Sequence, residues 1–403
     1  MEGPRGVRPA DLGSLRALTD LVMREGLVDQ FAQLFCEDNY ENLRVCVDDN
    51  RCVTHVGMTE GEAVLYGCRI QTACIGGVCT HPDYRKKGLA SACFDDALRK
   101  SREDGVDIMI VSGDRNLYRM RGCVRVGSDL MFTISRDSAP ISTETTAEDD
   151  SPRNNISSAA APQRPIPDTQ PQPSAPSVTA DVMTEAELPL VMDCYRSEPV
   201  RFARLPDDYR HALQSGWVMN RPSDFLVVRE RGEFRGYVIV PRAPKDGSAN
   251  LAEFAGDRRA ILAALPQLLE RYGCTSLGFQ VQRHDALMRS FCEQAGLQGA
   301  PRATPGTVTL VNFPQFMERM RPYFAERLGT RVASRLRFRQ ENEWYIFDLG
   351  DELLGTDRAD ASRLLFGTPE GLPRAAQDLH GALADALRTI LPLPTLWYGI
   401  NYV

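Results

Sequence analysis

The segment PDYRKKGLASACFDDAL, residues 82–98, decides how the first part of the chain is interpreted. It follows the strand-like run IGGVCT, and its apolar periodicity predicts a helix over residues 87–102. A helix N-terminus presents free N–H groups and a partial positive charge, which favour an anion and above all a phosphate. Gly88 has no Cβ and Ala90 is nearly as small, and three cations precede the glycine: Arg85, Lys86 and Lys87. The segment therefore predicts a phosphate-binding turn, although a basic helix start taken alone is more often a solvated face.

The composition is that of a globular protein. The chain has 403 residues and a formal net charge of -7, which suggests two or three domains. No apolar run has membrane-spanning length and the start, MEGPRGVRPADLGSL, is polar, so we expect a soluble, cytoplasmic protein with no membrane partner. The acidic balance argues against a nucleic-acid partner and suits a cationic small molecule.

The eleven cysteines predict buried thiols rather than disulfides. Their number is odd, the chain is long, and Cys68, Cys74 and Cys79 lie in apolar stretches. Such cysteines behave as small hydrophobic residues in a reducing compartment. A metal site is not expected, because the sequence has no CxxC motif and only five histidines.

Residues 136–180 predict a disordered linker. From residue 136 to residue 179 the sequence contains no Leu, Phe, Tyr or Trp, and Pro, Ser, Thr and Gln dominate it. Such a segment cannot bury enough apolar area to offset the entropy of ordering. It divides a first unit, residues 1–135, from later units at residues 181–300 and 301–403.

The first unit predicts a mixed α/β layer. Helices are expected at residues 10–24 and 87–102 and in a short segment through Tyr118. Residues 62–80 predict two strands, or one strand bent at Gln71, and further strands are expected at residues 43–47, 52–58, 107–113 and 129–135. The order is α, β, β, β, α, β, α, β, which is an α/β (α+β) arrangement around one sheet.

The spacing Arg85-x-x-Gly88-x-Ala90 resembles the acetyl-CoA signature of the GNAT N-acetyltransferases, Gln/Arg-x-x-Gly-x-Gly/Ala. It differs from the Rossmann fingerprint in its glycine pattern, and no Gly-Lys-Ser/Thr follows as in a P-loop. The preceding strand, the helix, the next strand and Tyr118 occur in the order of that family. The resemblance implies a GNAT fold with a mixed central sheet and acetyl-CoA as co-substrate, without a metal.

The resemblance also implies which residues contact the cofactor. A strand end would pair through its backbone with the pantetheine arm: Val78, Cys79 and Thr80. The amides of the turn would hold the pyrophosphate: Lys86, Lys87, Gly88, Leu89, Ala90 and Ser91. Arg85 would contact phosphate or cap the turn, and Gly113 and Asp114 would lie beside the far end of the cofactor.

Tyr118 is the candidate general acid. It lies four residues before Gly122 in NLYRMRGCVRVG, where GNAT enzymes commonly have a tyrosine that protonates the departing CoA thiolate. In this chain Cys123 replaces the aromatic residue that usually follows the glycine. A phenol with a pKa of about 10 is protonated at neutral pH and can donate its proton. A lone tyrosine is more often a core residue, but the surrounding motif favours the acid role.

Residues 181–300 repeat this layout in a degenerate form. A hairpin in SDFLVVRERGEFRGYVIVP is followed by a strand in LAEFAG, a helix in DRRAILAALPQLLERYG, a strand in SLGFQV and a helix in DALMRSFCEQAGL. Arg258 takes the place of Gly88, and Cys292 takes that of Tyr118. Because an arginine side chain would fill the space that a phosphate needs, we expect a GNAT-like fold without a cofactor site.

Residues 301–403 form the last predicted unit. A helix is expected in PQFMERMRPYFAERLG, strands in RLRFRQ and EWYIFDLG, and two further helices near residues 359–366 and 372–389. The three-part plan resembles the enhanced-intracellular-survival (Eis) type of acetyltransferase, which has a catalytic GNAT domain, a degenerate GNAT domain and a domain like sterol carrier proteins. That resemblance extends over nearly the whole chain.

The C-terminus supplies a candidate base. The chain ends in LPLPTLWYGINYV, which is apolar and aromatic and predicts a buried tail. In the group that it resembles, the terminal carboxylate enters the active site of the first domain and acts as base. An α-carboxyl has an ordinary pKa of about 3.5, so Val403 would be ionised at neutral pH. This chain ends in Val where a terminal Phe is familiar, and a tail that serves only the core is an equal alternative.

The expected function is acetyl-CoA-dependent N-acetyl transfer by direct attack of an amine on the thioester. A backbone amide of residues 78–80 would polarise the carbonyl. A covalent route through Cys79 or Cys123 is not favoured, because no histidine with an orienting acid is evident beside either residue.

The identity of the acceptor rests on the family alone. We expect a small cationic amine similar to an aminoglycoside or a polyamine, with a peptide or protein amine as the alternative. The rival from another class is a binding protein that holds an apolar ligand in its sterol-carrier-like domain and keeps only vestigial CoA binding. The sequence leaves the oligomeric state open, a homo-oligomer included.

Overall fold

The computed structural model describes residues 1–136, 178–242 and 244–403. Most of the predicted linker therefore lies outside the described residues. Its last three positions, 178–180, are described and belong to a strand, because Val178 and Ala180 pack into the core of the second unit. The α-helices, in chain order, are α1 (Leu12–Val22), α2 (Leu27–Gln30), α3 (Ala32–Phe35), α4 (Leu89–Glu103), α5 (Asn116–Arg119), α6 (Leu188–Arg196), α7 (Pro206–Ser215), α8 (Arg258–Arg271), α9 (Ala286–Gln294), α10 (Phe313–Arg319), α11 (Arg321–Leu328), α12 (Thr330–Ala333), α13 (Arg358–Phe366), α14 (Arg374–Gln377) and α15 (Ala382–Ile390).

The strands form four sheets. In chain order they are β1 (Glu2–Gly6), β2 (Arg44–Asp48), β3 (Arg51–Leu65), β4 (Cys68–Thr80), β5 (Ile108–Val111), β6 (Asp129–Ser135), β7 (Val178–Val182), β8 (Val200–Phe202), β9 (Trp217–Val218), β10 (Arg221–Glu230), β11 (Glu233–Pro241), β12 (Ser248–Asn250), β13 (Glu253–Gly256), β14 (Ser276–Val281), β15 (Ala300–Arg302), β16 (Thr307–Leu310), β17 (Leu336–Glu341), β18 (Trp344–Leu349) and β19 (Glu352–Thr356). The first sheet has the order β1-β2-β3-β4-β5-β16, and β8 pairs with the end of β3. The result is the mixed α+β architecture that the sequence predicts.

A long hairpin, β3–β4, forms the centre of the first sheet. The chain reverses at Tyr66 and Gly67, which both have positive φ, as a two-residue hairpin turn of this hand requires. Of the two alternatives predicted for residues 62–80, two strands are confirmed and a bend at Gln71 is wrong: Gln71 lies inside β4 and pairs with Glu62 of β3. The turn residues at 66–67 determine where the chain reverses.

Strands β4 and β5 diverge halfway along β4. They pair in parallel from Thr72 with Ile108 to Ile75 with Val111, and β5 ends there. β4 continues to Thr80, and α4 follows after one turn of 3-10 helix. We call the gap between residues 76–80 of β4 and residues 112–114 the β4–β5 opening. In open α/β sheets such a divergence is where ligands bind.

The second unit contains two sheets that enclose α8. One has the order β13-β11-β10-β7, with β9 on β10, and the other has the order β12-β14-β6-β15. Helix α8 contacts strands of both sheets, and its apolar residues form the core with them. The predicted hairpin is β10–β11, which turns at Arg231 and Gly232.

Strands pair across the boundaries of the three units. β6 was expected to close the first sheet, but it pairs with β14 of the second unit, and β16 takes the place beside β5. Both positions accept an apolar antiparallel strand, and the sequence pattern of a strand does not specify its partner. The three segments at residues 1–135, 181–300 and 301–403 are therefore interleaved in the sheets.

The last segment builds a small antiparallel sheet, β17-β18-β19, packed against helices. The strand β19 was not predicted. The helix expected over residues 372–389 is instead two helices, α14 and α15, because Gly381 at φ 91 interrupts the helical conformation. The tail, residues 391–403, is largely buried, as predicted, with Leu396, Tyr398 and Val403 in the main core cluster.

All eleven cysteines lie in the described residues and are free thiols. All except Cys36 and Cys194 are buried, which confirms the interpretation of the cysteines as core residues. Within the described ranges, no helix combines the length and the apolar character needed to cross a bilayer.

Candidate active site

The turn before α4 presents an open helix N-terminus. Gly88 is the N-cap residue, its φ of 77 is left-handed, and no side chain of the described residues caps the helix. A Cβ built on Gly88 would meet no atom within 4 Å. Residues 85–88 are exposed. The geometry thus leaves the first amides of α4 accessible to an anion, as the sequence predicts for this segment.

The three cations of the turn surround this N-terminus. Arg85 donates its Nε–H to the carbonyl of Thr80 at 3.3 Å, which closes the turn over the end of β4. The Lys87 ammonium lies 4.5 Å from the centre of the Tyr84 ring. Lys86 has a positive φ of 61, a backbone conformation that orients successive amides toward one side. Of the three cations, Lys86 therefore contributes conformation as well as charge.

The β4–β5 opening begins at residue 75. The Ser112 amide donates to the carbonyl of Ile75 at 3.2 Å, and beyond that bond β4 pairs only with β3. Val78 and Thr80 are half-buried, and Cys79 is buried and pairs with His55. The side of residues 76–80 that faces away from β3 is the one that an extended ligand would pair with.

The terminal carboxylate lies at the start of this opening. A Cβ built on Gly76 would overlap the carboxyl carbon and oxygen of Val403. Val403 is only 5% exposed, so the chain end is fixed rather than frayed. The family resemblance implied a carboxylate in the first unit, but its contact with Gly76 was not predicted. Two consecutive glycines inside a strand, Gly76 and Gly77, are the signal that could have found it.

The residues before Val403 hold the tail against the first unit. Tyr402 is half-buried, and burial raises the pKa of its phenol. Its ring lies 5.3 Å from that of Tyr398 and 6.4 Å from that of Phe31. Ser112 joins the end of β5 to the carbonyl of Ile75 through both its amide and its hydroxyl, a role that no sequence motif indicated.

Tyr118 lies on α5 at the other side of the opening. It is 4% exposed, its ring centre is 5.4 Å from that of Phe94, and burial raises the pKa of its phenol. A Cβ on Gly113 would lie 2.9 Å from Tyr118 Cε2, so this glycine is required for the tyrosine to reach its position. Gly113 follows Ser112 directly. Tyr118 packs against Gly113 and Val403 against Gly76, so both residues lie next to the point where β4 and β5 separate.

Asp114 is engaged by two arginines. Its carboxylate accepts hydrogen bonds from Arg119 at 2.6 Å and Arg125 at 2.7 Å, and the Arg119 guanidinium foremost lowers its pKa to about 2. This arrangement fixes the loop that leads into α5. The predicted place of Asp114 beside the cofactor stays a prediction.

The cysteines near the opening are poor nucleophiles. Cys79 and Cys123 are buried, and burial raises the pKa of each thiol to about 12. At neutral pH such a thiol carries a negligible fraction of thiolate, which is the reactive form. This supports direct attack rather than a covalent cysteine intermediate.

His55 is a buried residue that the sequence analysis did not single out. Its Nδ1–H donates to the carbonyl of Gly77 at 2.8 Å, and its ring stacks on Phe35 with centres 5.5 Å apart. Its Nε2 has no partner among the described residues, and burial lowers the pKa of the ring to about 4. His55 is therefore neutral at physiological pH. Its hydrogen bond to Gly77 stabilises the place where the pairing of β3 with β4 shifts register, between His55 and Gly57.

The equivalent site in the second unit is closed. The Asp257 carboxylate caps α8 by accepting from the amides of Arg259 and Ala260, both at 2.9 Å. Asp257 thus holds the N-cap position that Gly88 holds in α4, whereas Arg258, which the sequence comparison set opposite Gly88, is the first residue of α8. Arg258 makes a bidentate ion pair with Glu198 at 2.6 and 2.7 Å.

Two further features fill that part of the second unit. Trp397 of the tail lines the remaining cavity of about 50 Å³, and Cys292, in place of the tyrosine, is fully buried. The space around the start of α8 is therefore occupied by the Asp257 carboxylate, the Arg258–Glu198 ion pair and the Trp397 ring.

Comparison with known proteins agrees with this geometry. Residues 23–125 match the family model described as an acetyltransferase (GNAT) domain. No curated protein matches the sequence at a significant level.

Several crystal structures have the same fold over the whole chain. A GCN5-related N-acetyltransferase from Anabaena variabilis has a TM-score of 0.63 and 13% identity over 98% of both chains. A GCN5-related N-acetyltransferase from Kribbella flavida has a TM-score of 0.59 and 12% identity over 99% of this chain and 97% of its own. Eis1 from Mycobacterium abscessus has a TM-score of 0.57 and 14% identity over 96% of both chains.

Residues 23–125 match a GNAT acetyltransferase domain, and this match supports N-acetyltransferase activity for that part of the chain. The full-length chain has the fold seen in Eis1, which extends the likeness beyond the catalytic domain. Enzymes of this class take an acyl group from an acyl-CoA and transfer it to an amine.

Proposed function

We propose that the protein transfers an acetyl group from acetyl-CoA to an amine by direct attack. The observation that carries the proposal is the position of the Val403 carboxylate against Gly76, at the start of the β4–β5 opening. A charged group with an ordinary pKa of about 3.5 is there available as a proton acceptor.

The cofactor is proposed to lie along β4 and across the start of α4. Because α4 has no side-chain cap, its free amides and the exposed cations suit a pyrophosphate: Lys86, Lys87, Gly88, Leu89, Ala90 and Ser91. Val78, Cys79 and Thr80 would pair with the pantetheine arm, and one of their amides would polarise the thioester carbonyl. Arg85 is assigned to the turn that it closes over Thr80, with phosphate contact secondary.

The proton transfers are assigned to Val403 and Tyr118. The carboxylate takes a proton from the amine, directly or through a water, so that the nitrogen lone pair can attack the thioester carbonyl. Tyr118 donates its phenolic proton to the sulfur as the C–S bond breaks. Because burial raises the pKa of Tyr118, this proton is retained throughout the neutral range.

The proposed acceptor is a small cationic amine of the aminoglycoside or polyamine type. The net charge of -7 and the terminal carboxylate in the site favour a cation over an anion. A peptide or protein amine is the alternative within the same chemistry. The free, buried thiols further support a cytoplasmic location.

A second candidate function rests on a cavity in the last segment. The cavity, about 300 Å³, is lined mainly by apolar side chains including Leu364, Leu372, Leu387 and Leu391, with Arg283 and Arg388 among its other residues. This volume is at the lower end of small-molecule sites. It supports a sterol-carrier-like domain that binds an apolar ligand, alone or beside the transferase activity.

Calorimetry and a turnover assay on the full chain test the proposal together. CoA and acetyl-CoA are expected to bind at one site per chain, because the equivalent site at α8 is closed by Asp257 and Arg258. A panel of aminoglycosides, polyamines and peptides is then assayed for acetylated product and free CoA by chromatography. Binding of CoA without transfer to any amine would favour the second candidate, and the absence of binding would reject the transferase assignment.

A further inference from the structure

A fully buried ion pair lies in the second unit. The Arg204 guanidinium makes a bidentate pair with the Glu253 carboxylate at 2.6 and 2.7 Å, and their side chains are 1% and 3% exposed. The Tyr237 hydroxyl donates to Glu253 at 2.5 Å, and the Arg204 guanidinium lies 3.7 Å from the centre of the Tyr195 ring. Isolating two charges from water in this way is costly and needs every partner to be in place.

The Arg204–Glu253 pair also forms hydrogen bonds with the tail just before the C-terminus. Arg204 donates its Nε–H to the side-chain oxygen of Asn401 at 2.7 Å, and the amide of Ile400 donates to Glu253 at 3.2 Å. A Cβ on Gly399 would overlap the Glu253 carboxylate, so the backbone approaches as closely as a glycine allows. Both charged residues therefore hold residues immediately upstream of the terminal carboxylate.

We infer that Arg204 and Glu253 are positioning residues that set the place of the Val403 carboxylate in the first unit. The inference rests on the proposed role of that carboxylate. This positioning role gives the second unit, whose own cofactor site is closed, a function in the enzyme. We call Arg204 and Glu253 the clamp, because they hold the tail just before its terminal carboxylate. Val403 follows Asn401 by only two residues, so little slack separates the clamp from the carboxylate.

Directional contacts fix the register of the tail in a way that apolar packing does not. An extended chain advances about 3.3 Å per residue, so a slip of one residue would carry the carboxylate out of reach of Gly76. The hydrogen bonds at residues 400 and 401 exclude such a slip. A misplacement of about 1 Å between reacting groups can cost roughly 100-fold in rate.

Asn401→Ala is the least disruptive test, because it removes one hydrogen bond and leaves the Arg204–Glu253 pair intact. We expect kcat to fall about 10-fold or more while the KM for acetyl-CoA stays within twofold. Asn401→Asp keeps an oxygen for the Arg204 Nε–H and should restore kcat to within about threefold of the unmodified enzyme. Glu253→Gln should lower kcat further. Glu198→Gln is the matched control, since the side-chain hydrogen bonds of Glu198 within the described residues go to Gly256 and Arg258 and not to the tail.

A double-mutant cycle separates positioning from a general loss of structure. In a chain lacking Val403 the terminal carboxylate belongs to Tyr402 and no longer reaches Gly76, so adding Asn401→Ala should change the residual kcat less than twofold. The clamp would be overturned if the deletion of Val403 and Asn401→Ala lowered kcat additively. It would also be overturned if Asn401→Ala and Glu198→Gln lowered kcat equally. If deletion of Val403 alone left kcat unchanged, the base assignment would fail and the clamp with it.

Discussion

The carboxylate of Val403 occupies the volume that a Cβ on Gly76 would fill. The last residue of the chain therefore packs directly against β4 of the first sheet. The contact explains why a strand interior tolerates a glycine, which otherwise weakens a strand. It also makes the assignment of the base open to direct test.

Gly76→Ala is expected to displace the terminal carboxylate, because the added methyl group and the carboxyl group cannot share one volume. We predict a fall in kcat of at least 10-fold with CoA affinity within about threefold of the unmodified protein. Gly61→Ala is the matched control: Gly61 lies in β3, and a Cβ there meets no atom within 4 Å. Equal kinetics in the two variants, measured at saturating acetyl-CoA, would argue against the catalytic position of the tail.

Tyr118→Phe removes the phenolic proton but keeps the ring that packs on Phe94. If Tyr118 protonates the leaving thiolate, kcat should fall about 100-fold or more while calorimetry shows nearly unchanged CoA affinity. Because the pKa of Tyr118 is raised by burial, its titration should produce no fall in kcat between pH 6 and pH 9. A variant with undiminished kcat would assign Tyr118 to the core alone.

Gly88→Ala tests the open N-terminus of α4. The φ of 77 makes alanine strained at this position, which costs about 1 kcal/mol of folding free energy. Gly67, in the β3–β4 turn, has a φ of 81 and equally open surroundings, so Gly67→Ala carries the same strain far from the proposed site. We expect both variants to lose similar stability in chemical denaturation.

CoA affinity should distinguish these two glycines. Only Gly88→Ala places a methyl group where the pyrophosphate would approach the backbone, so only this variant should bind CoA about 10-fold or more weakly by calorimetry. Unchanged affinity in Gly88→Ala, or an equal loss in Gly67→Ala, would remove the pyrophosphate from this turn.

His55 predicts a pH dependence of stability. Its pKa is lowered from 6.5 to about 4 in the fold, so the unfolded chain binds the proton first as the pH falls. The stability conferred by the neutral ring is complete above about pH 6.5 and is lost between pH 6.5 and pH 4. Between pH 7 and pH 5 the loss from this residue amounts to about 2 kcal/mol.

A comparison with His55→Gln isolates that contribution. Urea unfolding of both proteins at pH 7 and pH 5 should show their free energies of unfolding converging by about 2 kcal/mol at the lower pH, since all other groups titrate alike. Parallel behaviour of the two proteins would mean that the ring takes up its proton in the folded state as readily as in the unfolded chain.

Local elements were predictable because their signals are local. Three signals each specify an element within a few residues. They are the glycine just before α4, the alternating pattern of β10–β11 and the apolar face of α1. The turn at Tyr66 and Gly67 was missed, since the strand pattern continues on both sides of it.

Long-range relationships were not accessible in this way. The exchange of β6 and β16 between sheets depends on which edge each strand meets, and the contact of Val403 with Gly76 joins residues at distant points of the chain. The role of His55 and of the Arg204–Glu253 pair likewise depends on burial, which no motif encodes. The family resemblance predicted a terminal carboxylate in the first unit, and the contact that places it against Gly76 is visible only in the structure.

The most direct measurement replaces the α-carboxylate of Val403 with a primary carboxamide by ligating a synthetic C-terminal peptide to the rest of the chain. The change keeps the shape of the end group and removes only its charge and basicity. At pH 7.5 we predict that kcat falls at least 100-fold while the CoA dissociation constant stays within twofold. A carboxamide protein that turned over at the rate of the carboxylate protein would contradict the account.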